Sequence, residues 1–102
     1  DKYVSLEPTP GHTPGHCAIR INDGSDNAVI SGDLIHSPIQ CRFPHWNFKF
    51  DADKQTAAET RLQFLQKYAD SGVQILTAHF PLPSAGYIEP VDDVFHFQYK
   101  EW

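Results

Sequence analysis

The stretch TPGHTPGH, from Thr9 to His16, places two prolines, two glycines and two histidines in eight residues. Proline and glycine are what a tight turn needs, because proline fixes the backbone and glycine frees it. A turn does not need histidine. Because histidine is the commonest metal ligand and a frequent acid–base group, these two could be ligands, catalytic groups or ordinary loop side chains.

The composition narrows the class of protein. The chain has 102 residues and a formal net charge of -5, with six histidines and no basic run. We therefore expect one structural unit over 1–102 and neither a nucleic-acid nor a membrane partner. The expected protein is soluble and bacterial, and its compartment, cytoplasm or periplasm, stays open. Cys17 and Cys41 are too few for a disulfide framework and are expected to be free thiols.

The hydrophobic pattern predicts a mixed α/β chain with mostly antiparallel strands and one main helix. The predicted strands are KYVSLEP, CAIRI, AVISGD, VQILTAH and VFHFQY, at 2–8, 17–21, 28–33, 73–79 and 94–99. The turn segment NDGSDN, at 22–27, predicts a hairpin between the second and third strands.

The main helix is predicted within 51–72, with Asp51 or Asp53 as its cap and Gly72 at its end. Its buried stripe is predicted from helical spacing to be Ala58, Leu62, Leu65 and Ala69. The segment at 34–51 carries Pro38, Pro44 and several aromatic residues, and the segment at 80–93 carries proline and glycine. Both are predicted to be loops.

Three polar side chains share one position in this pattern. His12 follows the first strand, Asp33 ends the third, and His79 ends the strand after the helix. Functional sites of α/β proteins collect where strands end, so we expect these side chains to meet. Two imidazoles and a carboxylate suit a metal such as zinc. Gly11 and Gly32 allow the backbone to turn sharply beside two of them.

The segments TPGHTPGH, ISGD and TAHFP, in this order, resemble the C-terminal half of a metallo-β-lactamase-fold hydrolase. The segments PHWNFKFDAD, TAAETRLQFL and TAHFPLPSAGYI are similar to the branch of methyl parathion hydrolase and lactonase-like enzymes. The resemblance covers essentially the whole chain. It implies half of a two-sheet αββα sandwich, so that 1–102 is a single partial domain.

The resemblance also implies roles for the three polar residues. His12 would bind one metal, His79 a second, and Asp33, the expected catalytic residue, would bridge both. The resemblance implies two divalent metal ions in the intact protein, with zinc as the expected metal. It implies one ion or none in this chain alone. The family signature His-x-His-x-Asp-His does not occur in this sequence. The site is therefore expected to be incomplete here.

Four further residues are candidates for the surroundings of the site. His16 is expected to support His12 or to bond the loop backbone. His36 could line the substrate pocket or be a satisfied loop histidine. Trp46 could form an apolar pocket wall or pack its own loop. Tyr87 could reach the pocket or anchor its loop.

The expected function of the intact protein is metal-dependent hydrolysis of a small ester-like substrate by metal-activated hydroxide. The ester, lactone or phosphotriester class is implied by the resemblance alone. One alternative is a thioesterase of the glyoxalase II type. The other is an inactive fragment that folds only with a partner, either a second copy or the missing N-terminal half.

Overall fold

The computed structural model describes residues 3–24 and 27–100, and these form one six-stranded sheet with two helices. The strands are β1 Val4–Pro8, β2 Cys17–Asn22, β3 Asn27–Gly32, β4 Gln74–Thr77, β5 Ala85–Val91 and β6 Val94–Tyr99. The helices are α1 Ile39–Arg42 and α2 Lys54–Tyr68. The mixed α/β class is confirmed. The start of the first predicted strand, Lys2, and the hairpin tip at 25–26 lie outside the described residues.

The strands lie side by side in chain order, from β1 to β6. Among the described strands, only β3 and β4 pair in parallel, with Val29 opposite Ile75, and the other neighbours are antiparallel. A parallel pair needs a crossover, and α1 and α2 lie in this connection. The crossover brings the carboxyl ends of β3 and β4 to the same edge of the sheet, which is what places the site.

The two faces of the sheet differ in burial. The covered face packs against α2, in a core that includes Ala18, Val29, Ile75 and Ile88 from the strands with Phe64, Leu65 and Tyr68 from the helix. The opposite face carries apolar side chains without such a cover. There Leu6, which lies opposite Ile19, is 69% exposed. No helix of the described residues is long and apolar enough to cross a membrane.

The helix α2 begins where the sequence predicts, but its buried side is different. Asp53 is the N-cap and accepts a hydrogen bond from the backbone N–H of Thr56. Leu65 is in the core, whereas the predicted core residue Leu62 is 40% exposed. The buried positions of α2 are Ala57, Arg61, Phe64, Leu65 and Tyr68. The predicted stripe is right at Leu65 and at Ala69, which packs against the core, and wrong at Leu62. The buried side instead includes Arg61, which a count of apolar residues excludes.

Both predicted loops contain regular structure. The loop predicted at 34–51 includes α1, and the loop predicted at 80–93 includes all of β5. Gly86 and Pro90 had argued against a strand. Gly86 instead allows a close strand contact, since a Cβ there would lie 2.2 Å from the carbonyl oxygen of Gln98. Pro90 lies beyond the residues of β5 that pair with β4, where a missing N–H costs no ladder bond on that side.

Candidate metal centre

Three loops bring the predicted ligands to one edge of the sheet. His12 lies on the loop after β1, Asp33 follows β3, and His79 follows β4. The parallel pairing of β3 and β4 places the second and third of these side by side, and the 9–16 loop approaches from the neighbouring strands. All three side chains line one shallow cavity of about 450 Å³.

The carboxylate of Asp33 lies between imidazoles. Its Oδ1 accepts a hydrogen bond from Nε2 of His79 at 2.6 Å, while its Oδ2 lies 3.6 Å from Nε2 of His12. The hydrogen bond from His79 is the largest influence on this carboxyl and lowers its pKa, and the neighbouring imidazoles act in the same direction. Each oxygen of one carboxylate therefore faces a nitrogen of a different imidazole.

The ring of His12 is held by Asp51, a residue that the sequence suggests only as a possible helix cap. Nδ1 of His12 donates to Oδ1 of Asp51 at 2.9 Å, and the Asp51 side chain is fully buried. The other oxygen of Asp51 accepts from the backbone N–H of Phe48 at 3.0 Å and from Arg61 at 3.3 Å. This arrangement leaves Nε2 of His12 free to face the cavity.

His16 holds the turn that carries Asp33. Its Nε2 accepts the backbone N–H of Asp33 at 2.9 Å, so the ring proton lies on Nδ1, which donates to Oγ1 of Thr9 at 2.8 Å. Both nitrogens of His16 are thus engaged. Gly32, the residue before Asp33, has a φ of 59°, and a Cβ there would lie 2.8 Å from Nε2 of His16. The turn therefore requires glycine.

The loop that carries His12 is docked on the start of α2. The carbonyl oxygens of Gly11 and His12 accept the backbone N–H groups of Asp53 and Ala52, at 2.9 and 3.0 Å. Gly11 has a φ of 137°, and a Cβ there would lie 2.3 Å from Cα of Ala57. Only glycine allows this approach, so the position of His12 depends on the helix as well as on its own loop.

His36 lies inside the same group. Its side chain is 10% exposed, and its ring stacks on Phe48 at 4.0 Å and on His79 at 4.9 Å between centroids. Burial lowers its pKa, and within the described residues its Nδ1 has no hydrogen-bond partner. One ligand atom each from His12, Asp33 and His36 lie within 4.8 Å of one another. From the sequence, His36 was expected to line the pocket or to be a satisfied loop histidine, and not to belong to a ligand set.

Two other candidates lie away from the cavity. Trp46 stacks on Phe43 at 4.5 Å and is half exposed, and Tyr87 lies within β5 opposite Gln98. Neither residue lines the cavity, whose walls are His12, Asp33, His36, Phe48, Phe50 and His79. Trp46 packs within its own loop, one of the two possibilities that the sequence leaves open, and the aromatic wall of the cavity is formed by Phe48 and Phe50.

The chemistry of these donors fits a divalent metal of the zinc type. Zinc prefers imidazole nitrogen and carboxylate oxygen, and ligating histidines usually donate their second N–H to a carboxylate or carbonyl. His12 has this arrangement with Asp51. The described cavity offers three imidazoles and one carboxylate. Four side chains are fewer than two four-coordinate ions require.

Known proteins share the fold of this chain. The family model of the metallo-beta-lactamase superfamily matches residues 4–95. The structure of AidC, a dizinc quorum-quenching lactonase in complex with the product N-hexnoyl-L-homoserine, is 30% identical with a TM-score of 0.92. That of the hydrolase AbOPH in the beta lactamase superfamily is 28% identical with a TM-score of 0.88. In each case 99% of this chain is covered.

A third structure shows the fold alone. It is a probable metal-dependent hydrolase from Staphylococcus aureus, 18% identical with a TM-score of 0.66 over 100% of this chain and 38% of that one. This chain spans 35% of AidC and 36% of AbOPH, so it corresponds to about a third of each. No curated protein matches it.

Proposed function

Because this chain belongs to the metallo-beta-lactamase superfamily, we propose that it supplies one part of the active site of a metal-dependent hydrolase. The observation that carries the proposal is the position of Asp33, whose two carboxylate oxygens face His79 and His12 separately. A carboxylate so placed can join two cations. The similarity to a dizinc lactonase and to another hydrolase supports the same conclusion.

The proposed ligands are His12 and Asp33 for one ion and His79 and Asp33 for the other, with zinc as the proposed metal. When bound, such ions activate a water molecule and polarise the oxygen of the scissile group. The chain itself provides orientation. His16 holds the backbone of Asp33, and Asp51 holds the ring of His12.

The proposed substrate is a small ester, lactone or phosphotriester with an apolar group. Phe48 and Phe50 form an apolar wall directly beside the donor side chains, and such a wall favours an acyl or aryl group. The described residues that line the cavity include no lysine or arginine. This disfavours the alternative thioesterase, whose anionic glutathione-like substrate would need basic partners.

We propose that the uncovered face of the sheet packs against the remainder of the protein rather than against a second copy. The face carries exposed apolar side chains such as Leu6 and Val4, at 69% and 43%. The similar hydrolases are nearly three times as long as this chain, which covers 35% and 36% of them. The remaining ligands would then come from that remainder, and the chain alone would be inactive.

The test is hydrolysis by the full-length protein, before and after removal of metal by a chelator. The substrates are a chromogenic ester, an aliphatic lactone and an aryl phosphotriester. We expect turnover of at least one, lost on chelation and restored by zinc. Turnover that persists without metal, or none on any of the three by the zinc-loaded protein, would contradict the proposal.

A further inference from the structure

Beneath the metal centre lies a buried ion pair that the proposed chemistry does not use directly. The side chains of Asp51 and Arg61 are both fully buried, with Nη2 of Arg61 3.3 Å from Oδ2 of Asp51. A buried pair costs desolvation energy and is weak evidence for stability by itself. The role of this ion pair is therefore inferred from the other groups that Asp51 and Arg61 contact.

The helix does not explain Asp51. Asp53, two residues later, is the N-cap of α2 and accepts the N–H of Thr56 at 3.0 Å. The oxygens of Asp51 instead accept from the ring of His12 and from the backbone N–H of Phe48. Oδ1 of the buried Asp51 carboxylate thus bonds an imidazole that faces the cavity.

We propose that Asp51 is a positioning residue that fixes which nitrogen of His12 faces the metal centre, and that Arg61 holds Asp51 in place. The inference rests on the proposed metal-dependent function. A neutral imidazole carries one proton, and a metal needs the nitrogen without it. Because Asp51 is an acceptor only, it selects the form of His12 with the proton on Nδ1 and the lone pair on Nε2.

Arg61 links Asp51 to the loop that carries Asp33. Its Nε donates to the carbonyl oxygen of Leu34, the residue after Asp33, at 3.1 Å. Its Nη1 donates to the carbonyl oxygens of Pro44 and Trp46 at 2.7 and 3.1 Å. One guanidinium thus orients Asp51 and also holds the backbone next to Asp33. The fixed, planar set of donors in arginine suits this role, which lysine could not fill.

The first experiment compares two identical substitutions in the full-length protein. Asp51→Asn keeps one acceptor oxygen, which faces Phe48 and Arg61, and replaces the acceptor of His12 by an NH2 donor. Asp53→Asn changes the exposed N-cap side chain of α2, whose hydrogen bonds go to Thr56. We expect Asp51→Asn to weaken zinc binding about 10- to 100-fold, measured by competition with a chromogenic chelator. Asp53→Asn should bind zinc like the wild type. Equal affinity in the two variants would overturn the inference.

The second experiment needs no variant of the buried pair, so it applies even if Asp51→Asn does not fold. The metal-free wild-type protein, labelled with ¹⁵N-histidine, is measured by NMR at pH 9, and His12 is assigned by the signal lost in His12→Asn. We expect a protonated Nδ1 and an unprotonated Nε2. The opposite form, or an equal mixture, would overturn the inference.

The two experiments separate this inference from the proposed function. If the wild type binds no zinc, the proposed function fails, and the NMR measurement still decides the form of His12. If the wild type binds zinc and Asp51→Asn binds it equally well, the function stands and only the role of Asp51 falls.

Discussion

The two imidazoles on either side of Asp33 are held in opposite ways. The side chain of His12 is 18% exposed, and its Nδ1–H donates to the buried carboxylate of Asp51. The side chain of His79 is 50% exposed, and within residues 3–24 and 27–100 its ring nitrogens bond only to Asp33. This chain therefore holds the His12 ring through a buried carboxylate, whereas the more exposed His79 ring is held by Asp33 and by stacking on His36.

The largest expected effect comes from removing the positive charge of Arg61, which pairs with the Asp51 carboxylate that holds His12. Arg61→Met leaves Asp51 buried without its cation and several carbonyl groups without a donor. We expect a loss of about 3–5 kcal/mol in the free energy of unfolding, measured by urea denaturation. Arg42→Met, at an exposed arginine of α1, is the control and should change it by less than about 0.5 kcal/mol. Similar losses in both variants would show that Asp51 is not held by Arg61.

The second-largest effect is expected from a substitution that separates the loop of His12 from α2. Gly11→Ala combines a positive φ with a Cβ that would overlap the backbone of Ala57, so we expect a loss of about 3 kcal/mol. Gly15→Ala is the matched control in the same loop. A Cβ at Gly15 has nothing within 4 Å, and the change should stay within about 0.5 kcal/mol. Equal stability of the two variants in thermal unfolding would contradict the described contact.

Removing each imidazole in turn sharpens the comparison directly. In the metal-free protein, His12→Ala leaves Oδ1 of Asp51 buried without its donor and should cost about 1–3 kcal/mol. His79→Ala removes a half-exposed ring and should change the unfolding free energy by less than about 0.5 kcal/mol. Both should lower zinc affinity. If His79→Ala proves the more destabilising in chemical denaturation, the contrast between the two sides is wrong.

The smallest expected effect concerns the two thiols, which differ in burial as the two imidazoles do. Cys41 is 1% exposed, and burial raises its pKa to about 12, whereas Cys17 is only half buried. A thiol reacts as the thiolate, so a pKa that high leaves Cys41 protonated at pH 8. A disulfide reagent at pH 8 should label Cys17 first, with Cys41 protected until denaturant is added. Mass spectrometry of the labelled peptides decides, and faster labelling of Cys41 would refute its burial.

Much of the site could be predicted because its residues follow strand ends. His12, Asp33 and His79 occupy equivalent places in the hydrophobic pattern, and the parallel pairing of β3 with β4 brings the last two together. Asp51 could not be predicted in the same way. Its partner His12 is 39 residues away in the chain, and the contact depends on where α2 lies. A pattern that counts apolar residues also cannot show that Arg61 is buried, since its ion pair with Asp51 and its bonds to distant carbonyl groups make that burial possible.

The same limit explains the strand that was missed. Gly86 and Pro90 are unfavourable in an isolated strand, and their place in β5 depends on the neighbours β4 and β6. Local preference is overridden by contacts with residues distant in sequence. His36 is a similar case, because its stacking between Phe48 and His79 joins three separate loops.

The central claim is that Asp33 joins two metal ions, and counting the ions tests it most directly. The full-length wild-type protein and its Asp33→Ala variant are loaded with zinc, freed of excess metal and measured by elemental mass spectrometry. The account predicts two zinc ions per chain in the wild type and no dinuclear binding in the variant. Full retention of two ions by Asp33→Ala would contradict it.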